Sequence, residues 1–360
     1  MWVVQVSMGR LNDLGDVRDI SNHQLPPSTL KGEMIMISKN LKFALLAGAI
    51  FLLVSPWSVS AKEITLKGVS AFGEGTRFSK NFEKFIEKVN KEGAGLVQIK
   101  YIGGGGKVMS PFEVGNAVRK GVIDVANVTG AFYTNLMPEA DALKLTQVSI
   151  QDLRKSDGWA YINKLHNEKL NSYYLARQGD GIPFHLYLTK MISKPDLSGL
   201  KIRVTPVYRA FFDKLGATAL RTKPGEVYTA LERGVVDGYG WPIQGVLDLG
   251  WHEVTKYRVD PGFYNVDVNV LVNLDKWNSL NVKQQAFLNK MGSWLEGLNA
   301  ENASINKEEA ILQKKAGIKT IKFSDSTNKE FLATAYQAGW DSVLKVSPEH
   351  GPKLKKMFNK

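Results

Sequence analysis

The chain has 360 residues and a formal net charge of +12, with 44% hydrophobic and 23% charged residues. That is a globular composition with enough apolar material for a sizeable core, and the length favours two lobes over one. Cysteine is absent, which excludes disulfides, thiolate metal sites and cysteine nucleophiles.

Residues 1–35 are polar, lack periodicity and end in "LKGEM". Lys-Gly-Glu codons can spell a purine-rich ribosome-binding sequence, so this segment reads as a mis-assigned start, with translation beginning at Met34 or Met36. From Met36, "MISKNLKFALLAGAIFLLVSPWSVSAKE" places Lys39 and Lys42 before an uncharged run from Phe43 to Trp57. Val59-Ser60-Ala61 then supplies a tolerated residue and a small one at a cleavage site. Residues 36–61 therefore read as a secretory signal peptide cleaved after Ala61, which predicts a periplasmic protein. The apolar run is shorter than the roughly 20 residues that span a bilayer, against an uncleaved anchor.

After the leader, strand and helix signals alternate. "EITLKGVS" has period two, and "RFSKNFEKFIEKVNKEG" places Phe78, Phe82, Phe85, Ile86 and Val89 on one helical face. "LVQIKYI" is a second strand, "PFEVGNAVRKG" a short helix opened by Pro111, and "VIDVANV" a third strand. This β-α-β-α-β run predicts a largely parallel sheet in an α/β fold. A helical stretch at about 151–170 precedes the strands "YYLAR" and "PFHLYLT"; "PGEVYTALERG" is a helix with Pro224 first, and "YNVDVNVLVNL" alternates as one strand. From Val282 to about Lys315 the chain is helical, with Phe287, Leu288, Met291, Trp294, Leu295 and Leu298 at core spacing. The excess lysines are dispersed among glutamates, as in "NFEKFIEKVNKEG", which argues for a solvated surface and against nucleic acid.

No catalytic constellation stands out. "IGGGGKVMS" fails the phosphate-loop pattern at Tyr101 and Val108 and the dinucleotide pattern at Val108. The histidines at 23, 166, 185, 252 and 350 form no i, i+4 pair or zinc-like cluster, and GxSxG is absent.

One arginine is better placed. In "GLKIRVTPVYRAFF", Arg203 ends a strand, with Thr205 as N-cap and Pro206 as the first residue of a helix. The carboxyl edge of an open α/β sheet is where ligands bind, and a helix start favours anions. A guanidinium matches a carboxylate in two parallel hydrogen bonds, so Arg203 reads either as an anion clamp or as half of a structural ion pair.

The stretch "GLKIRVTPVYRAFFDKLGATALRTKPGEVYTALERGVVDGYGWP" resembles the core of DctP-type solute-binding proteins of tripartite ATP-independent periplasmic (TRAP) transporters. The similarity continues in "GGGGKVMSPFEVGNAVRKGVIDVANV" and "FYTNLMPEADALKL" and covers most of residues 62–280. It implies a two-lobed periplasmic-binding-protein-like fold of type II, with crossing hinge strands and a long bracing helix. Lobe 1 would comprise 62–180 with about 269–308, and lobe 2 181–268 with about 309–360. It further implies a receptor for a small organic carboxylate that serves TRAP membrane permease subunits, without cofactor or catalysis. A monomer is expected, with a dimer and an assisting metal ion left open. In that family the strand arginine, here Arg203, clamps the substrate carboxylate. Sialic-acid-type members carry Gln-Glu-Asn-Pro where this chain has Tyr239-Gly240-Trp241-Pro242. That departure argues against sialic acid, and Trp241 is similar to the apolar wall of members that take small oxo or hydroxy acids. Tyr239, His185 with Tyr187, Glu74 with Thr76 or Arg77, and Thr129 with Tyr133 are the other candidates for the cleft. Arg209 is expected to face solvent, and Asp237 to shape a turn. A secreted enzyme using His185 with a carboxylate, or a ligand-sensing module for a membrane receptor, are the alternatives.

Overall fold

Two mixed sheets carry the fold, one on each side of the point where their parallel strands end. The computed structural model describes residues 62–359, so the expected extension and signal peptide lie outside the described residues. Strands β1 (Ile64–Ser70), β2 (Val97–Gly104), β3 (Val125–Val128) and β4 (Ser172–Gln178) belong to the first sheet. The second takes β5 (Pro183–Leu188), β6 (Lys201–Val204), β7 (Thr218–Arg221), β8 (Gly238–Pro242) and β9 (Tyr257–Asn265). The chain then returns to the first sheet as β10 (Val268–Asn273) and closes the second with β11 (Lys319–Lys322). The orders are β2-β1-β3-β10-β4 and β11-β9-β5-β8-β6-β7. β1 runs parallel to β2 and β3, as does β6 to β7 and β8, whereas β10 and β5 are antiparallel to their neighbours.

The expected strand "YNVDVNVLVNL" is corrected by this topology. It breaks at Val266–Asp267, after Tyr264 turns at φ 49°, and its two ends belong to different sheets. Period-two alternation persists through the break, so the pattern carries no sign of it. The expected helix at 151–170 likewise divides into Ile150–Arg154 and Asp157–Leu170, because Ser149 and Ser156 each cap a new start. Strands β7 and β11 and the helices Asp325–Val346 and Gly351–Phe358 add to the elements expected from the sequence.

The helical region that begins at Val282 spans both halves. Its first part, Val282–Gly297, buries Leu288, Met291 and Leu295 with the core of β1 and β2, where Phe82, Phe85, Ile86 and Val89 also pack. Its second part, Asn302–Lys315, buries Gln313, which donates to Ile243 O and accepts from Arg258 of the second sheet. No helix among the described residues is long and apolar enough to cross a membrane.

Candidate functional site

The parallel strands β1 and β3 of the first sheet and β6, β7 and β8 of the second all end at one cleft. The loop of consecutive glycines after β2 lies there for a steric reason. Gly105 has φ +61°, and a Cβ on it would stand 2.4 Å from Gly73 Cα. The glycines therefore let two loops meet backbone to backbone. An outer cavity of about 220 Å³ opens beside them, lined by Phe72, Thr76, Arg77, Gly105, Glu226, Trp241 and Asp248 among others. An inner cavity of about 30 Å³ continues from it, sharing Phe72, Phe78 and Trp241. Thr129, Phe132, Phe184, Thr205, Tyr208 and Val266 line the inner one.

Arg203 stands behind this wall. Its guanidinium is fully buried and lines neither cavity, but two of its neighbours do. Nη1 donates to Tyr208 Oη at 2.9 Å and Nη2 to Thr222 O at 2.9 Å, while Nε has no partner. The rings of Trp241 and Trp251 each lie 5.9 Å from Cζ. No carboxylate pairs with Arg203 among the described residues. Burial lowers its pKa, with Tyr208 and Glu226 opposing the shift; arginine keeps its charge all the same. A buried cation without an anion is costly, and here two hydrogen bonds, two indole rings and the more distant Glu226 offset part of that cost.

The helix Pro206–Lys214 positions Tyr208. Thr205 takes the extended backbone of an N-cap, but its side chain does not cap; it lines the inner cavity instead. Tyr208 Oη accepts from Arg203 and donates to Gly240 O at 2.5 Å. Gly240 is needed for this arrangement, because a Cβ there would stand 2.6 Å from the Tyr208 ring. Next along β8, Trp241 packs edge-on against Trp251 at 4.7 Å, and its Nε1 is buried without a partner.

Among the other residues expected at the site, Thr129 lines the inner cavity and Thr76 and Arg77 the outer one. Arg77 ties the two sides together: Nε donates to Gln244, Nη2 to Asn302 at 3.0 Å, and its backbone N–H to Asp248 at 2.7 Å. His185, Tyr239 and Tyr133 lie elsewhere. β5 turns Phe184 to the inner cavity, and the strand's alternation puts His185 on the opposite face, its Nδ1 2.9 Å from Val259 O and 3.1 Å from Asp260. Tyr239 is stacked on Tyr187 at 5.0 Å and bonded to Thr255, and Tyr133 is bonded to His166 and Asn269. Both tyrosines are fully buried core residues outside the two cavities. Glu74 is exposed, 4.0 Å from Lys107. Arg209 is exposed, and Asp237 shapes a turn by accepting Lys201 N–H and pairing with Lys190.

Asp267, at the break between β9 and β10, was not foreseen. It is fully buried and accepts from Gly130 N at 2.7 Å, Asn269 Nδ2 at 3.1 Å and Thr129 Oγ1 at 3.4 Å. Burial pushes its pKa up from 3.8 to about 6. No cluster of metal-binding side chains is present among the described residues.

The family model described as bacterial extracellular solute-binding protein, family 7, matches residues 69–345. A monocarboxylate 2-oxoacid-binding periplasmic protein of Nostoc is 27% identical over 192 residues, 50% of this chain and 52% of the relative. The C4-dicarboxylate-binding periplasmic protein DctP of Rhodobacter capsulatus is 29% identical over 165 residues, 45% of this chain and 46% of the relative. The chain thus spans about half the length of these curated relatives. Among solved structures, a TRAP periplasmic solute-binding protein from Desulfovibrio salexigens with bound orotic acid has a TM-score of 0.73 at 21% identity. That match covers 82% of this chain and 97% of the other. A Bordetella pertussis extracytoplasmic solute receptor binding pyroglutamic acid also has a TM-score of 0.73, at 18% identity, covering 82% and 99%. These likenesses establish the two-lobed periplasmic binding fold.

Proposed function

Because the chain belongs to the bacterial extracellular solute-binding proteins of family 7, we propose that it binds a small organic carboxylate in the cleft, with Arg203 as the anchor. The observation that carries this is a fully buried guanidinium with no anionic partner and an unpaired Nε, whose neighbours Tyr208 and Trp241 line the cavities. The oxo acid, dicarboxylate, orotate and pyroglutamate named for its relatives share the carboxylate this group would read.

The ligand enters while the halves stand apart, and its carboxylate meets Arg203 beside Trp241. Closure brings the Phe72–Phe78 side over it. Ligand contacts both sides only in the closed state, so binding shifts the open–closed population by differential affinity. The halves would be 62–180 with about 269–308, and 181–268 with about 309–360, the Arg77 hydrogen bonds to Gln244 and Asp248 joining them when shut. The receptor would work in the periplasm, hand its ligand to a TRAP permease, use no cofactor and convert nothing.

Calorimetry on ligand-stripped protein against small carboxylates tests the reading. Binding to the wild type and none to Arg203→Gln, with both variants folded by circular dichroism, is the expected result. Equal affinity in the two proteins refutes the anchor, and a carboxylate turned into product refutes the receptor.

A further inference from the structure

Asp267 stands directly behind the inner cavity. Its chain neighbours Val266 and Val268 both line that cavity, and so does Thr129, to which it is bonded. The volume of about 30 Å³ admits about two water-sized groups at about 15 Å³ each, enough for an oxygen of a carboxylate. Thr129, Thr205 and Tyr208 supply the hydroxyls among its lining residues. Two of those hydroxyls have committed their hydrogens elsewhere: Tyr208 donates to Gly240 O and Thr129 to Asp267 Oδ1. Both therefore offer an arriving anion lone pairs.

The two oxygens of Asp267 are not equivalent. Oδ2 accepts from Gly130 N at 2.7 Å and from Asn269 Nδ2 at 3.1 Å, two donors that cannot accept in return. A Cβ on residue 130 would stand 2.8 Å from Oδ2, so the glycine admits this contact. The Asn269 amide is oriented by a chain of bonds. His166 Nδ1, 2.8 Å from Ile162 O, carries the ring proton, so Nε2 accepts from Tyr133, whose oxygen in turn accepts from Asn269 Nδ2. Oδ1 has Thr129 alone, at 3.4 Å, and a hydroxyl can reverse. A proton on Asp267 must therefore sit on Oδ1.

The charged and titratable groups around Asp267 are Arg177 and Tyr174 of β4, Lys144 and Tyr133 from between β3 and β4, and His166 behind Tyr133. Arg177 is paired with Asp180 and Lys144 with Asp141, and burial keeps the tyrosines and His166 uncharged near neutral pH. Burial also raises the Asp267 pKa to about 6, and a second carboxylate brought close raises it further.

We propose, resting on the receptor reading above, that Asp267 is a positioning residue that takes a proton from solvent onto Oδ1 as the ligand's carboxylate enters. The new O–H donates to Thr129 Oγ1, and the Thr129 hydroxyl turns its own hydrogen into the inner cavity, toward the carboxylate. Ligand and proton then bind together, and each favours the other.

Ligand-stripped protein is titrated calorimetrically at about pH 5.5 and about pH 7.5 with pyruvate, lactate, pyroglutamate, orotate, glucuronate and tartrate, all ionised over that range. The tightest binder should bind about tenfold more weakly at the higher pH and, in buffers of different ionisation enthalpy, take up more than about half a proton near pH 7. Asp267→Asn keeps an oxygen for the two N–H donors and presents an N–H to Thr129, so it should hold the low-pH affinity at both values. Thr129→Val should bind more weakly and lose most of the pH dependence. Equal wild-type affinity at the two pH values without proton uptake, a readout that needs no variant, overturns the coupling and leaves the receptor reading intact. A dependence that survives in folded Asp267→Asn assigns the proton to another group, and one that survives in full in Thr129→Val overturns the hydroxyl reversal. No binding by any of the acids overturns the receptor reading and the coupling with it.

Discussion

Tyr208→Phe removes the oxygen between Arg203 and Gly240 and leaves the ring in place. The ring is held by Phe184 at 5.8 Å, Phe212 at 5.2 Å and the bare Cα of Gly240, so the variant retains its packing. The hydroxyl accepts one of the two protein hydrogen bonds of a fully buried guanidinium and satisfies Gly240 O. A hydrogen bond involving a charged group is worth about 1.5–3 kcal/mol. Full burial removes any reason to discount it for solvent screening. Stability without ligand should therefore fall by about 1.5–3 kcal/mol, or several degrees in Tm at about 2–4 °C per kcal/mol for a large domain. Affinity should fall as well, because Arg203 would be held by Thr222 alone and must regain its rotamer on binding. Arginine carries about 2 kcal/mol of side-chain entropy, so a loss of about tenfold is expected. Thermal melts with and without the carboxylate, paired with calorimetry, separate the two effects. A lowered Tm with unchanged affinity would reduce Tyr208 to a structural role, and no change in either would refute the hydrogen-bond argument.

Gly240→Ala places a Cβ within 2.6 Å of the same ring, and overpacking of this kind costs about 1–3 kcal/mol. Its melting temperature should fall, and Tyr208→Phe should not rescue it, since the clash is with ring carbons; rescue would place the conflict at the hydroxyl. Arg77→Ala removes the side-chain bond to Gln244 across the cleft, which should favour the open form and weaken ligand binding by about tenfold at about 1.4 kcal/mol. Small-angle scattering should show a larger radius without ligand, and an unchanged radius would contradict the latch. Asp267→Asn tests pH dependence. Asp267 has its pKa raised from 3.8 to about 6, so its contribution is complete below 3.8 and lost as pH rises through about 6. His166, buried and bonded to Ile162 O, has its pKa lowered from 6.5 to about 4, and its contribution grows over nearly the same interval. The two oppose each other in the wild type. Melts of Asp267→Asn should rise with pH between about 4 and 6.5 more steeply than those of the wild type, by on the order of 3 kcal/mol in total. Parallel profiles would refute the assignment.

Much of the fold was legible because its signals are local. The face Phe78, Phe82, Phe85, Ile86 and Val89 is buried as its spacing predicts, and "EITLKGVS" forms β1, although its alternation gives way to consecutive burial at Gly68, Val69 and Ser70. The crossing at Val266–Asp267 was not legible, because both halves of the segment keep the same alternation while changing sheets. Arg203 was marked by its position at a strand end, and Trp241, which lines both cavities, by the family resemblance alone. Phe184 was hidden by its neighbour: a histidine in a strand draws attention, yet β5 turns His185 toward Asp260 and its phenylalanine toward the cavity. Tyr133 and Tyr239 were attractive as polar aromatics near loops, but their hydroxyls are satisfied inside the core by His166, Asn269 and Thr255. Tyr208 was legible only as part of an apolar helix face. Its bond to Arg203 depends on the missing side chain at Gly240, a relation between elements that spacing along the chain does not carry.

The proposed role of Arg203 is to read the ligand's carboxylate. The most direct measurement compares, by calorimetry, the tightest-binding acid with its neutral primary amide in the wild type and in Arg203→Gln. The wild type should prefer the acid by about 100-fold, the worth of a buried charge-assisted pair, and the preference should collapse in the variant. Equal affinity for acid and amide in the wild type, or a preference that survives in Arg203→Gln, would contradict it.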